Sequence, residues 1–388
     1  MGGYRILSLD GGVGRQLPQV LWGIAQGIEA VEGQRFLDHV DLFAGVSAGG
    51  INALLLAKYD DPTRALQEIT SFWSKIEFDV LKGLGTQSLA SLDAAAAVSH
   101  MLTATMGLGG TLTGQRPLHL NHQLRDVLIH HFGRHTTLRD LKQNVVIVSF
   151  VLDAVVDPHL GLAGANALPV RTWKPKIFNN LDRDGESDLD ELVVDVALRS
   201  CACPIELPVY QGLAGLGPGY VDGGVVANNP AMIALTAILG QWHQQGLCGE
   251  PHGRALALSD MLLLSIGSQR NLIANTQNLV PQFTNGAAEW GYSQWLFDFN
   301  HPLALVDLML QGSTLAITYQ CKQLLGRHFF RLHTPAAPHQ MPSTHAATSN
   351  PIYTPLLQAA ARWLYDSGWL EPRTTEQPLS GESGERTP

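Results

Sequence analysis

A serine flanked by glycines, Gly45-Val46-Ser47-Ala48-Gly49-Gly50, lies between the apolar run Leu42–Gly45 and the helix-like run Gly49–Lys58. Glycines two residues before and two after a serine let the chain turn sharply from strand to helix. The serine then projects at the top of a sheet, near a helix N-terminus whose dipole favours developing negative charge. A plain glycine-rich strand-to-helix connection has the same local signature. Either way the motif demands a strand with a helix packed on it, and the rest of the chain repeats that unit. Strand-like runs at Arg5–Leu9, Val145–Val151, Leu192–Val194 and Met261–Ile266 alternate with helix-like runs at Leu17–Val31 and Pro230–Gln245. Short apolar strands alternating with longer helical patterns predict α/β layers.

The 388 residues can bury a sizeable core, and a composition of 45% hydrophobic and 15% charged residues excludes a disordered chain. The net charge of −9 is the wrong sign for a nucleic-acid partner and gives no help in adsorbing to anionic membranes. Four cysteines, Cys201, Cys203, Cys248 and Cys321, show neither zinc-ligand spacing nor disulfide density, which points to a reducing compartment. Tyr4–Leu9 already reads as a strand, so no signal peptide is expected, and Ile6 stands where a myristoylation site wants Ser or Thr. No apolar run approaches the roughly 18–20 residues of a membrane span. The expectation is a cytoplasmic protein whose membrane contact is peripheral and transient. Gly83–Gly114 is rich in small residues, and Ala287–Leu310 carries Trp290, Tyr292, Trp295, Phe297 and Phe299. Each reads as core or cap helix, or as a lid or acyl-chain wall. Leu356–Leu370 predicts a helix packed on the domain, and Glu371–Pro388 a disordered tail.

Two further glycine-rich segments carry potential chemistry. Asp10-Gly11-Gly12-Val13-Gly14-Arg15 lies after a strand and before a helix, where unobstructed N–H groups suit negative charge. Such a turn can serve a dinucleotide pyrophosphate, an oxyanion hole, or only the connection itself. The dinucleotide fingerprint fails because Leu17 occupies the place of its third glycine, and no Gly-Lys pair exists for a P-loop. Tyr220-Val221-Asp222-Gly223-Gly224, followed by Asn228-Asn229-Pro230 at a helix start, describes a tightly specified loop. Asp222 is a carboxylate framed by glycines, and a serine nucleophile needs a base within reach. None of the 15 histidines stands in a telling context; His119, His122, His130, His131, His333 and His339 read as surface or packing residues. Ser47 also comes too early for the ordinary α/β-hydrolase order. A two-residue Ser47–Asp222 engine is the better reading.

Together these features resemble the patatin-like phospholipase family. Its members carry an Asp-Gly-Gly-Gly-x-Arg-Gly loop after the first strand, a Gly-x-Ser-x-Gly elbow and a late Asp-Gly-Gly. Ala197-Leu198-Arg199-Ser200-Cys201-Ala202-Cys203-Pro204 is similar to a fourth block, and Leu264–Ser268 to a later strand, so the likeness spans residues 4–270. Val13 departs from the pattern where the third glycine is expected, and Gln16 replaces the closing glycine. A valine must either avoid positive φ there or hold it under strain.

The resemblance implies a three-layer α/β/α patatin-like fold with a mostly parallel central sheet and a nucleophile elbow. It implies a catalytic domain over 1–335, an extension with a packed helix over 336–370 and a tail over 371–388. The activity implied is lipid acyl hydrolysis: Ser47 as nucleophile and Asp222 as base, the base needing partial desolvation to raise its pKa. N–H groups of Gly11, Gly12 and Val13 would hold the oxyanion, with Arg15 adding charge or fixing the loop. Gly45 and Gly49 would shape the elbow, and Gly223 and Gly224 the dyad loop. Implied partners are a phospholipid, lysophospholipid or other glycerolipid ester, with no metal and no nucleotide cofactor. Two alternatives stay open: a cyclic-nucleotide-activated phospholipase effector of antiviral defence, in which a nucleotide is the activator, and a catalytically impaired lipid-binding or scaffold protein.

Overall fold

The computed structural model describes residues 3–32, 35–76, 121–155, 171–181, 188–204, 206–247, 256–269, 291–297, 304–335 and 354–370. Gly83–Gly114 and Glu371–Pro388 lie outside the described residues.

Strands β1 (Tyr4–Leu9), β2 (Leu42–Val46), β3 (Asn144–Val155), β4 (Arg171–Asn179), β5 (Tyr220–Asp222), β6 (Met261–Gln269) and β7 (Phe329–Pro335) form one sheet. Its order is β4-β3-β2-β1-β6-β7, with β5 also paired to β3. The path β3-β2-β1-β6-β7 is parallel, whereas β4 and β5 run antiparallel to β3. Helices connect the strands: α1 (Leu17–Glu32), α2 (Ser47–Lys58), α3 (Pro62–Lys75), α4 (His122–Phe132), α5 (Val193–Cys201), the single turn α6 (Gly224–Ala227), α7 (Ala231–Leu247), α8 (Tyr292–Phe297), α9 (Ala304–Leu325) and α10 (Thr354–Asp366).

Both faces of the sheet are buried, as parallel strands require. Side chains alternate between them with the strand period of two. Leu7, Leu9, Phe43, Val145, Ile147, Leu262 and Leu264 join the core shared with α1, α2, α3 and α5. Ile6, Leu42, Ala44, Val146, Met261 and Leu263 join the opposite core, under α7 and α9. This is the three-layer α/β/α arrangement expected. The C-terminal helix α10 buries Leu357, Ala360 and Leu364 in the first of these cores, and the fully buried Trp369 just beyond it donates its indole N–H to Phe36 O at 3.0 Å.

Two local expectations are corrected. Leu192–Val194 is not a strand: Leu192 is the N-cap of α5, whose nine residues are all buried. A wholly buried helix presents an apolar run that mimics a strand when its β-branched residues come first. The Tyr220–Asn229 loop, in turn, contains β5 and α6.

Candidate active site

The site forms at the C-terminal ends of the parallel strands, where β2 stops and β3 continues. Val46, the last residue of β2, pairs with Val148. The next position on β3, Ser149, pairs with Asp222 on the antiparallel β5. A single register step on β3 therefore separates the rung that delivers Ser47 from the rung that delivers Asp222.

Ser47 turns from β2 into α2 at φ +55°, and it is the only non-glycine at positive φ among the described residues. That backbone is strained for an L-residue by about 1–3 kcal/mol. The flanking glycines make it possible. A Cβ on Gly45 would lie 2.5 Å from Gly49 O, and one on Gly49 would lie 2.4 Å from both Leu9 O and Asp10 O. Ser200 braces the turn: its Oγ accepts the Ser47 N–H at 2.8 Å and donates to Val148 O at 2.6 Å. The same end of α5 holds the Asp222 loop. Asp222 N–H donates to Ala202 O at 2.9 Å and Gly223 N–H to Ser200 O at 3.3 Å.

Asp222 is buried, 5% exposed, and its Oδ1 accepts the Gly224 N–H at 2.7 Å. Cys201 sits between the two motifs. Burial, and then the Asp222 charge, push its thiol well above the ordinary range, and it shares a hydrogen bond with the Ser47 side chain. Cys201 thus lies within reach of the Ser47 side chain and of the Asp222 charge.

In the first glycine loop, Gly12 takes the positive φ, +80°, and Val13 avoids it. Valine at this place is fully buried in the core instead of strained. The Gly11 N–H, expected to face the oxyanion, instead donates to Asn228 O at 3.0 Å. No hydrogen bond to the Gly12 or Val13 N–H is formed among the described residues. Arg15 fixes the loop: its Nη2 donates to Trp73 O at 2.9 Å and Ile76 O at 3.4 Å, at the C-terminal end of α3.

Several positioning residues carry no motif. Asn52, buried in α2, donates to Val13 O at 2.9 Å and Gly14 O at 3.2 Å, and accepts the Trp73 indole N–H at 2.8 Å. A polar residue inside the apolar run Ile51–Ala57 was the available signal. Arg331 on β7 grips Asp10 with both Nη atoms and donates to Ser265 Oγ at 2.7 Å. Burial raises the Asp10 carboxyl, and the adjacent arginine opposes that rise. Nothing local marks Arg331 in the sequence. Among the described residues, no group of His, Cys, Asp or Glu converges as metal ligands do.

His131 is buried against Glu68, with Nδ1 to Oε2 at 2.8 Å, and burial lowers its pKa. In the Ala287–Leu310 region, the described parts are α8 and the first turns of α9. Leu310 Cδ2 lies 3.7 Å from where a Cβ on Gly224 would stand, so α9 borders the Asp222 loop.

The chain is 26% identical to the cGAMP-activated phospholipase of Pseudomonas aeruginosa, over 87% of this chain and 80% of that protein. It is 24% identical to Patatin-like protein 1 of Arabidopsis thaliana, covering 81% and 69% of the two chains, and 27% identical to Patatin-like protein 2 of the same plant, covering 85% and 73%. The family model for patatin-like phospholipase matches residues 7–235, a span that holds the elbow, both glycine loops and α5, and the chain belongs to that family.

Proposed function

We propose that the protein is a lipid acyl hydrolase working through a Ser47 acyl-enzyme with Asp222 as base. The observation that carries this reading is the strained elbow. Ser47 alone among the described non-glycine residues takes positive φ, at the head of α2, one rung of register from a buried glycine-framed aspartate. Strain of this kind persists where the surroundings over-determine it, and it exposes the hydroxyl at a helix N-terminus.

Asp222 takes the Ser47 proton as Oγ bonds to the ester carbonyl carbon, and the carbonyl π pair moves onto oxygen. The Gly12 and Val13 N–H groups receive that oxyanion. Collapse expels the alcohol, which leaves with the proton from Asp222. Water, deprotonated by the same carboxylate, then releases the fatty acid. The substrate is a phospholipid, lysophospholipid or other glycerolipid ester.

Membrane contact is peripheral and transient, made from the cytoplasm. Among the described residues no helix is long and apolar enough to cross a bilayer. However, α9 is apolar on two faces. Cys321 and Leu325 are buried, whereas Leu308, Met309, Leu315 and Tyr319 are exposed. An exposed apolar face beside the base loop suits an enzyme whose substrate lies in a lipid surface.

Fluorophosphonate labelling and fatty-acid release from mixed phospholipid vesicles test the reading on wild type, Ser47→Ala and Asp222→Ala. Labelling and release by wild type alone are expected. Folded wild type that does neither overturns the constitutive enzyme. A second reading, activation by a cyclic nucleotide, is favoured by the likeness to cGAMP-activated phospholipases of Pseudomonas aeruginosa and Vibrio cholerae, the latter 27% identical over 60% of this chain. Activity that appears only on adding a cyclic dinucleotide would select it.

A further inference from the structure

The Asn228-Asn229 pair uses its two carboxamides differently. Asn229 is fully buried and its amide is consumed by structure. Oδ1 accepts the Ala231 N–H at 3.0 Å and the Ser265 hydroxyl at 3.4 Å, and Nδ2 donates to Thr318 Oγ1 at 3.4 Å. Asn228 is half-buried, and its side chain makes no hydrogen bond among the described residues.

That unused amide stands where the three loops of the site meet. A Cβ on Gly11 would lie 2.3 Å from Asn228 Oδ1 and 3.5 Å from Ser47 Cβ. A Cβ on Gly224 would lie 3.3 Å from the same Oδ1 and 3.0 Å from Asp222 Oδ1. Glycine at position 11 is therefore required by the volume of the Asn228 carboxamide. The Asn228 main-chain carbonyl also takes the Gly11 N–H, removing one backbone donor from the oxyanion loop. The same residue that withdraws a donor brings an amide to the place it served. With Oδ1 resting on Gly11 and Gly224, the NH₂ is the end left for a ligand.

We infer that the Asn228 carboxamide is a catalytic donor, its Nδ2 hydrogen-bonding the oxyanion of the tetrahedral intermediate beside the Gly12 and Val13 N–H groups. This rests on the Ser47 reading above. An amide suits the position because it donates to negative charge without bearing a charge that would disturb Asp222.

The test uses the full chain and a soluble acyl ester. It compares steady-state kinetics and fluorophosphonate labelling rates for wild type, Asn228→Ala and the isosteric Asn228→Asp, with circular dichroism to confirm folding. Loss of one oxyanion donor is expected to lower kcat and the labelling rate by about 10²–10³-fold, with KM changed less than about threefold. Asn228→Asp keeps the shape, loses at least as much, and moves the acid limb of kcat/KM upward, because a second carboxylate then lies near Asp222. A purely space-filling role predicts a folded Asn228→Ala variant with wild-type kcat and labelling rate, and that result overturns the inference. So does an Ala variant impaired in KM alone. In either case, wild type that labels and hydrolyses leaves the hydrolase reading standing. Wild type that does neither removes both.

Discussion

Asp10 closes β1 and opens the first glycine loop, and its partner Arg331 stands 321 positions away. Both side chains are nearly dry, 1% and 6% exposed, so the pair is held by geometry and by the further bond to Ser265. Removing one member of a buried pair leaves an uncompensated charge. Arg331→Met is expected to destabilise the protein by about 3–5 kcal/mol, read by urea unfolding. Arg331→Lys should recover only part of this, since an ammonium cannot bind both carboxylate oxygens in a fork. At Ser47 the expectation is reversed. Ser47→Gly relieves the strain at φ +55°, so it should abolish labelling while leaving stability unchanged or raising it by about 1 kcal/mol. A variant clearly less stable than wild type would show that the elbow is not strained.

At the scale of elements, α5 is the brace between two motifs distant in sequence. Its Ser200 ties the elbow to β3, and the carbonyls of Ser200 and of Ala202 just beyond it tie the Asp222 loop to the same place. Ser200→Ala leaves the Ser47 N–H and Val148 O without their partner, and is expected to cost about 1–3 kcal/mol and to slow Ser47 labelling. Unchanged labelling would show that the elbow holds its shape without α5. On β7, burial and then the charge of Arg331 lower the His333 pKa to about 4. The unfolded chain, with histidine near 6.5, binds that proton more readily. This contribution to stability is therefore complete above about pH 6.5 and is lost as pH falls toward 4. His333→Gln should flatten the fall in Tm over that window, and an unchanged slope would exclude His333 as its source.

For the whole molecule, the sheet brings the loops after β1 and β2 and the Asp222 loop after β5 to one edge, and α9 lies beside them with an apolar face outward. If that face meets lipid, Leu308→Gln with Met309→Gln should lower the ratio of vesicle activity to soluble-ester activity by roughly tenfold or more. An equal loss on both substrates would place these residues in packing alone.

Much of this architecture was legible because its signals are local. Alternation of strand and helix patterns reports the backbone, and the glycines around Ser47 and after Asp222 mark places where neighbouring atoms leave no room for a Cβ. The same logic singles out Ser47 and Asp222 as the pair proposed for nucleophile and base, and it poses the problem of valine at position 13. What only the tertiary structure decided depends on contacts between distant segments. Val13 is accommodated because its side chain has a core to enter and Gly12 carries the turn. Arg15 is spent on the end of α3, and the Gly11 N–H on Asn228. Val193 and Val194 are helical in an α5 whose surroundings bury every residue, a condition invisible in an apolar run read alone. Asn52, Ser200, Cys201 and Arg331 act through partners that no spacing rule connects. A sequence determines which turns a chain can make, whereas the donors and charges left free at the site are known only after every other group has found its partner.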